Sequence, residues 1–277
     1  MKKLFLVTRF ILLAGMVFAG EDSLHVSPYE RAWPTDMPLS QHPSLSSATQ
    51  SHAPATVDAG RPSATRFIIP TLFVAYGVAA RFNDTPFRRF DKYVARQIDL
   101  HVDRHYPADN YLIAAPAAFA YGLDFFPGVE SQHHFADRTL ILATSYLFMW
   151  GAVTTMKKQI PVVRPRGWND DAFPSGHTAV AFTGAHILYR EYRAQSPWIG
   201  VGGYVVATAA GALRTVNRAH WVSDVVAGAG IGILSAEVGY MMLPVWHRLF
   251  GIDGGRRLVV MPSVGMQSAG VGFVCVF

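Results

Sequence analysis

Apolar residues gather along this chain in six runs, at 67–80, 111–127, 139–156, 178–189, 198–213 and 225–243, with short polar connections between the later ones. Runs this long predict helices rather than strands. Most fall short of the ~20 residues that a helix needs to cross a bilayer. Three runs hold an ionisable group, Asp124, His186 or Glu237. Inside a membrane such a group is expensive and turns to the bundle interior. The pattern predicts an all-α fold: a membrane-embedded bundle of about six helices. A soluble bundle with buried helices is the alternative. Between the first two runs, Phe87, Phe90, Tyr93, Val94, Ile98 and Val102 recur at three- and four-residue spacing, with Arg88, Arg89, Lys92 and Arg96 mostly between them. That predicts an amphipathic helix over 86–102. It either lies in the headgroup plane, basic face toward lipid phosphate, or packs as an ordinary surface helix.

The two ends differ from this middle. Lys2 and Lys3 precede an apolar stretch at 4–18, and Val17-Phe18-Ala19 before Gly20 fits a cleavage site. This predicts a signal peptide at 1–20, or an uncleaved anchor. Residues 21–60 are rich in Ser, Pro, His, Ala and Thr and predict a flexible linker. The helical domain is then expected at 61–250 and a tail at 251–277. Within the tail, 258–266 and 271–277 are rich in Val and Gly around Ser268-Ala269-Gly270, which predicts a small C-terminal β-hairpin turning at those three residues. Two strands leave edges that lipid cannot satisfy, so the hairpin belongs outside the bilayer.

Composition strengthens the membrane reading. Of 277 residues 51% are hydrophobic and 16% charged, against about 25% charged in soluble domains. The net charge of +5 suits anionic headgroups or phosphate substrates. No run of Lys and Arg interleaves with aromatics, so nucleic acid is not an expected partner. Cys275 is the single cysteine, which rules out an intrachain disulfide or a cysteine-based zinc site.

Three polar clusters interrupt the later runs: Lys157 with Arg164-Pro165; Pro174-Ser175-Gly176-His177; and Arg214, His220 and Asp224. Each cation alone can snorkel to an interface. Three converging cations repel one another unless an anion lies between them, and phosphate suits guanidinium forks. Ser175, Gly176 and His177 open an apolar helix, where free N–H groups favour an anion. His220 and Asp224 are four apart and share a face if helical. An Asp that fixes one ring nitrogen leaves the other free to attack. Asp170 and Asp171 read as a solvated loop rather than a metal site.

Lys-x6-Arg-Pro, Pro-Ser-Gly-His and Arg-x5-His-x3-Asp, in this order over 157–224, resemble the three-part signature of the type-2 phosphatidic acid phosphatase (PAP2) superfamily. That superfamily includes lipid phosphate and lipid A phosphatases, soluble acid phosphatases and vanadium haloperoxidases. The resemblance implies a phosphatase that needs no metal or other cofactor and works through a phosphohistidine. By position it makes His220 the nucleophile, Asp224 its orienting base, and His177 the acid for the leaving group. It assigns Lys157, Arg164, Arg214, Ser175 and Gly176 to the phosphate. Where the family often has Ser, this chain has Leu213. A lipid-linked phosphate in the bacterial inner membrane is the expected partner; a soluble exported acid phosphatase or a haloperoxidase is the alternative. The leader favours a periplasmic site, whereas the Arg-rich stretch at 81–104 favours a cytoplasmic one.

Overall fold

The computed structural model describes residues 65–250, apart from 83, 84 and 168, and the backbone of 257–265 and 268–276. The expected signal peptide (1–20) and linker (21–60) lie outside the described residues. Helices α1 (Thr65–Ala79), α2 (Pro86–His101), α3 (Asp109–Leu112), α4 (Ala115–Gly122), α5 (Phe135–Gln159), α6 (Gly176–Tyr192), α7 (Pro197–Val216) and α8 (Val222–Phe250) follow one another along the chain.

Local chemistry sets these bounds. Pro86 begins α2 behind the Thr85 cap, whose hydroxyl accepts from the Arg88 amide at 3.2 Å. Helix α5 ends at Gln159, and Ile160, which precedes Pro161, leaves the helical region (φ −124°, ψ 76°). The apolar run at 111–127 is not one helix. It breaks into α3, α4 and a 3-10 turn at Leu123–Phe125, because Pro116 is tolerated only in a first helical turn. The other five runs each hold one helix.

Helix α8 is the hub. A Cβ at Gly228 would lie 2.4 Å from the Ser175 carbonyl oxygen, one at Gly230 2.4 Å from that of Pro70, and one at Gly239 2.6 Å from that of Ile141. Glycine on three faces of α8 thus lets α6, α1 and α5 approach to backbone contact. Helix α6 runs parallel to α8; α5 runs against it, as Trp246 donating to Thr144 and His247 beside Asp137 show.

Among the described residues three helices, α5, α7 and α8, are long and apolar enough to cross a membrane. At a 1.5 Å rise, 20 residues already span about 30 Å. Only 28% of the most apolar stretch of α5 and of α7 is buried, against 61% for α8. Leu147, Phe148 and Trp150 of α5 and Trp198, Val201 and Val205 of α7 face outward. Inside, His186 Nε2 meets Glu237 at 2.7 Å and Arg190 closes on the same carboxylate at 2.8 Å. Asp124 sits at the exposed end of its segment and pairs with buried Arg138.

Strands β1 (Arg257–Gly265) and β2 (Ser268–Val276) are antiparallel. Ser268, Ala269 and Gly270 pair with Gly265, Val264 and Ser263. They are strand residues and not the expected turn.

Candidate active site

The three clusters meet at one end of the bundle, where α5 and α7 finish and α6 and α8 begin. Gly211 of α7 packs on Val225 of α8 and Thr178 of α6 there. His177 lies in the field of Arg214, His220, Asp109 and Arg164, and Lys157 in that of Arg164, Asp171, Asp224 and Arg214.

Lys157 stands on the last turn of α5 and donates to the Asp171 carbonyl. The loop after it closes on itself: Val162 N donates to Asp170 O at 2.6 Å, and Ala172 N to Val162 O at 2.9 Å. This brings Asp171 onto Arg164, Nε to Oδ1 at 2.9 Å and Nη2 to Oδ2 at 3.0 Å. The expectation that Asp171 is merely solvated is therefore wrong. Burial alone would raise its carboxyl, but the Arg164 fork outweighs that and holds it below the usual range. A carboxylate rests on two cations expected to receive phosphate.

Arg214 closes α7 and donates to Asp109 Oδ2 at 2.7 Å. Asp109 is fully buried and its other oxygen has no hydrogen-bond partner. Nothing in the sequence pointed to this residue, which lies 105 positions before Arg214 in another helix.

Ser175 caps α6. Its hydroxyl lies 2.9 Å from Thr178 Oγ1 and accepts from the Thr178 amide at 3.4 Å, and its own amide donates to the Asp224 carbonyl at 3.0 Å. The side chain is fully buried. Its hydroxyl serves the helix cap. The Gly176 and His177 amides, first in the helix, have no intrahelical acceptor. A Cβ at Gly176 would meet nothing nearer than 3.7 Å, so packing does not require glycine there. Burial, then the Arg214 charge, lowers His177 to about 4.

His220 lies in the turn between α7 and α8 with 2% exposure. Its Nδ1 is 2.7 Å from the Ala172 carbonyl oxygen and 3.8 Å from Asp224 Oδ2. A carbonyl only accepts, so Nδ1 carries the proton and the neutral ring keeps its lone pair on Nε2. The expected direct Asp224 hydrogen bond is replaced by this carbonyl, with the carboxylate as a nearby charge. Asp224 Oδ2 instead accepts from the Trp221 amide at 2.8 Å. Burial pushes the His220 ring below its ordinary value. Leu213 leaves no hydroxyl beside Arg214, as its sequence predicts. No cluster of three or more metal-ligating side chains occurs among the described residues.

This arrangement can hold a tetrahedral anion among three cations and two helix amides, beside a histidine with a free Nε2 lone pair and a second, separate histidine. Residues 130–248 match the PAP2 superfamily model. A stretch of 98 residues is 45% identical to a lipid A 1-phosphatase of Porphyromonas gingivalis; it covers 35% of this chain and 22% of that protein. The chain thus matches less than a quarter of that relative's length. Among solved structures, Aquifex aeolicus LpxE aligns with 54% of this chain and 93% of its own, at 23% identity and a TM-score of 0.39. A transmembrane PAP2-type phosphatidylglycerolphosphate phosphatase from Bacillus subtilis aligns with 63% and 95%, at 16% identity and a TM-score of 0.40. The stretch that matches the PAP2 superfamily model, residues 130–248, includes every site residue read from the sequence.

Proposed function

We propose that this chain is a metal-independent phosphatase that removes phosphate from membrane lipids through a phosphohistidine. The observation that carries the reading is the meeting of Lys157, Arg164, Arg214, His177 and an Nε2-free His220 at one buried end of the bundle. In the first step His220 Nε2 attacks phosphorus, the bond to the lipid oxygen breaks, and His177, which takes up a proton once the phosphate's negative charge lies beside it, gives that proton to the leaving oxygen. In the second, water loses a proton to His177 and its oxygen attacks phosphorus. The P–N bond breaks and inorganic phosphate leaves. The three cations and the Gly176 and His177 amides stabilise the charge that gathers on the phosphoryl oxygens. They supply what a metal ion otherwise would. Asp224 offsets the positive charge that His220 gains on attack.

The outward apolar faces of α5 and α7 and the lipid A 1-phosphatase relative favour a lipid-linked substrate: lipid A, phosphatidic acid or a polyprenyl pyrophosphate. We read the six apolar segments as one bundle in the inner membrane, the site facing the periplasm and the 251–277 tail outside the bilayer. The test is phosphate release from each lipid in detergent micelles, with p-nitrophenyl phosphate beside them. Release from lipids and its loss in His220→Ala are expected. Release from the soluble ester alone, or full turnover by His220→Ala, overturns the reading.

A further inference from the structure

The PAP2-matched stretch starts at residue 130, yet the inner side of Asp224 is built by residues well before it. Arg81, just past the end of α1, lies between two fully buried carboxylates. Its Nη1 faces Asp224 Oδ1 at 3.2 Å and its Nη2 faces Asp91 Oδ2 at 3.2 Å. Neither Arg81 Nη1 nor Asp224 Oδ1 makes a hydrogen bond, so the two meet as an ion pair alone. Arg81 Nη2 also donates to Ser223 Oγ, the hydroxyl beside Asp224 in the chain. Asp91 takes the Ser223 amide at 3.0 Å and its hydroxyl as well.

This cation is not free to swing. Its Nε donates to the Gly77 carbonyl at 3.1 Å and its guanidinium lies 5.0 Å over the Phe173 ring. Gly77 packs so hard on the first turn of α8 that a Cβ there would come within 2.5 Å of Ala227 and 2.8 Å of the Ser223 carbonyl. The anchor of Asp91 is α2, and α2 grips the same turn elsewhere. Arg88 stacks 4.6 Å over Trp221, and Arg218 donates to the Val102 carbonyl at 2.7 Å.

An Arg wedged between two acids has a physical logic. A buried carboxylate with an unmatched oxygen is costly, and removing one partner of such a pair leaves the other uncompensated. Asp224 must stay ionised and still while His220 passes from neutral imidazole to a positively charged phosphoimidazolium. Its Oδ2 is held by the Trp221 amide; Arg81 is what meets the other oxygen. Asp91 in turn keeps Arg81 from leaving and balances its charge.

We infer that Arg81, locked by Asp91 and Ser223, is a positioning residue for the reaction: it holds Asp224 in register with His220 without touching substrate. The inference rests on the phosphatase reading above. Loss of an orienting Asp costs as much as about 10⁴ in turnover, and a group one contact further out roughly 10–100-fold.

The experiment is a double-mutant cycle of Arg81→Ala and Asp224→Asn on the full chain in detergent, with Arg81→Lys and Asp91→Asn beside it. It reads kcat and KM for phosphate release from a lipid phosphate, and the thermal midpoint. Arg81→Ala is expected to lower kcat about 10–100-fold with KM nearly unchanged, since Lys157, Arg164 and Arg214 remain. Arg81→Lys should recover part of the loss. In the Asp224→Asn background Arg81→Ala should cost little more, because both act as one unit. Independent, multiplying losses, or a rise in KM with kcat intact, overturn the inference. The midpoint needs no turnover, so it stands even if the chain proves not to be a phosphatase. Coupling of the two substitutions there is expected, and strict additivity shows that the pair does not form. Where Arg81→Ala does not fold, Asp91→Asn serves: unchanged kcat and midpoint overturn the lock.

Discussion

Gly228→Ala puts the packing account under quantitative strain. The new Cβ would sit 2.4 Å from the Ser175 carbonyl oxygen and 3.2 Å from Thr178 Cβ. Ordinary contact begins near 3.4 Å, so α6 and α8 must part by about 1 Å at this level, since the atom met is backbone and cannot rotate away. Overpacking of this kind costs about 1–3 kcal/mol. The site suffers more than the fold. Ser175 begins the helix that carries His177, and α8 carries Asp224. A misplacement of about 1 Å between reacting groups costs on the order of 100-fold in rate. Gly176→Ala is the contrast: its Cβ meets only Val153 at 3.7 Å. It should keep the thermal midpoint yet weaken phosphate binding, because the methyl group crowds the helix amides. Both variants are assayed by phosphate-release kinetics and thermal unfolding in detergent. Wild-type kcat in Gly228→Ala would refute the claim that backbone contact between α6 and α8 sets the catalytic geometry.

Other consequences are as direct. Asp171→Asn removes a carboxylate that phosphate must displace from Arg164 and Lys157; a half-exposed pair is worth up to about 1 kcal/mol. KM should therefore fall up to about fivefold with kcat steady, and a higher KM would mean that Asp171 instead holds Arg164 ready. Asp109→Asn strips Arg214 of its buried counter-charge, and breaking such a pair costs about 3–5 kcal/mol. A large drop in thermal midpoint is expected, and an unchanged midpoint contradicts the burial of that pair. His177, lowered to about 4 from about 6.5 in an unfolded chain, binds its proton only after unfolding between those values. Its share of stability is thus present above about 6.5 and lost as pH falls toward 4. The thermal midpoint should fall on acidification across that window, and less so in His177→Asn; equal slopes would argue against a neutral, half-buried His177.

The sequence and the structure agree where chemistry is packed into short motifs. Lys157, Arg164, His177, Arg214, His220 and Asp224 stand at helix ends that the apolar runs already marked, so their meeting at one end of the bundle was legible. What was illegible came from partners far apart in sequence. Asp109 finds Arg214, and Arg81 finds Asp224, only because α1 and α3 dock beside helices formed more than a hundred residues later. No spacing rule records such contacts. Asp91 left a faint mark, as an acid among four basic residues on an amphipathic helix. It is 1% exposed while Phe90 and Tyr93 beside it are 49% and 61% exposed, the reverse of what hydrophobic periodicity alone implies. Ser175 is a different case: its residue type fits a phosphate ligand and an N-cap equally well, and the structure shows the cap.

The central claim is that His220 takes the phosphoryl group. Wild-type protein mixed with a lipid carrying radiolabelled phosphate and quenched in alkali within milliseconds should retain label in a bond stable to base and cleaved by acid, mapped to His220 by peptide analysis. With a labelled aryl phosphate, whose leaving group needs no acid, the label should accumulate in His177→Ala, whose second step lacks its base; with either substrate it should vanish in His220→Ala. Label on another residue, or equal labelling of His220→Ala, would contradict the account.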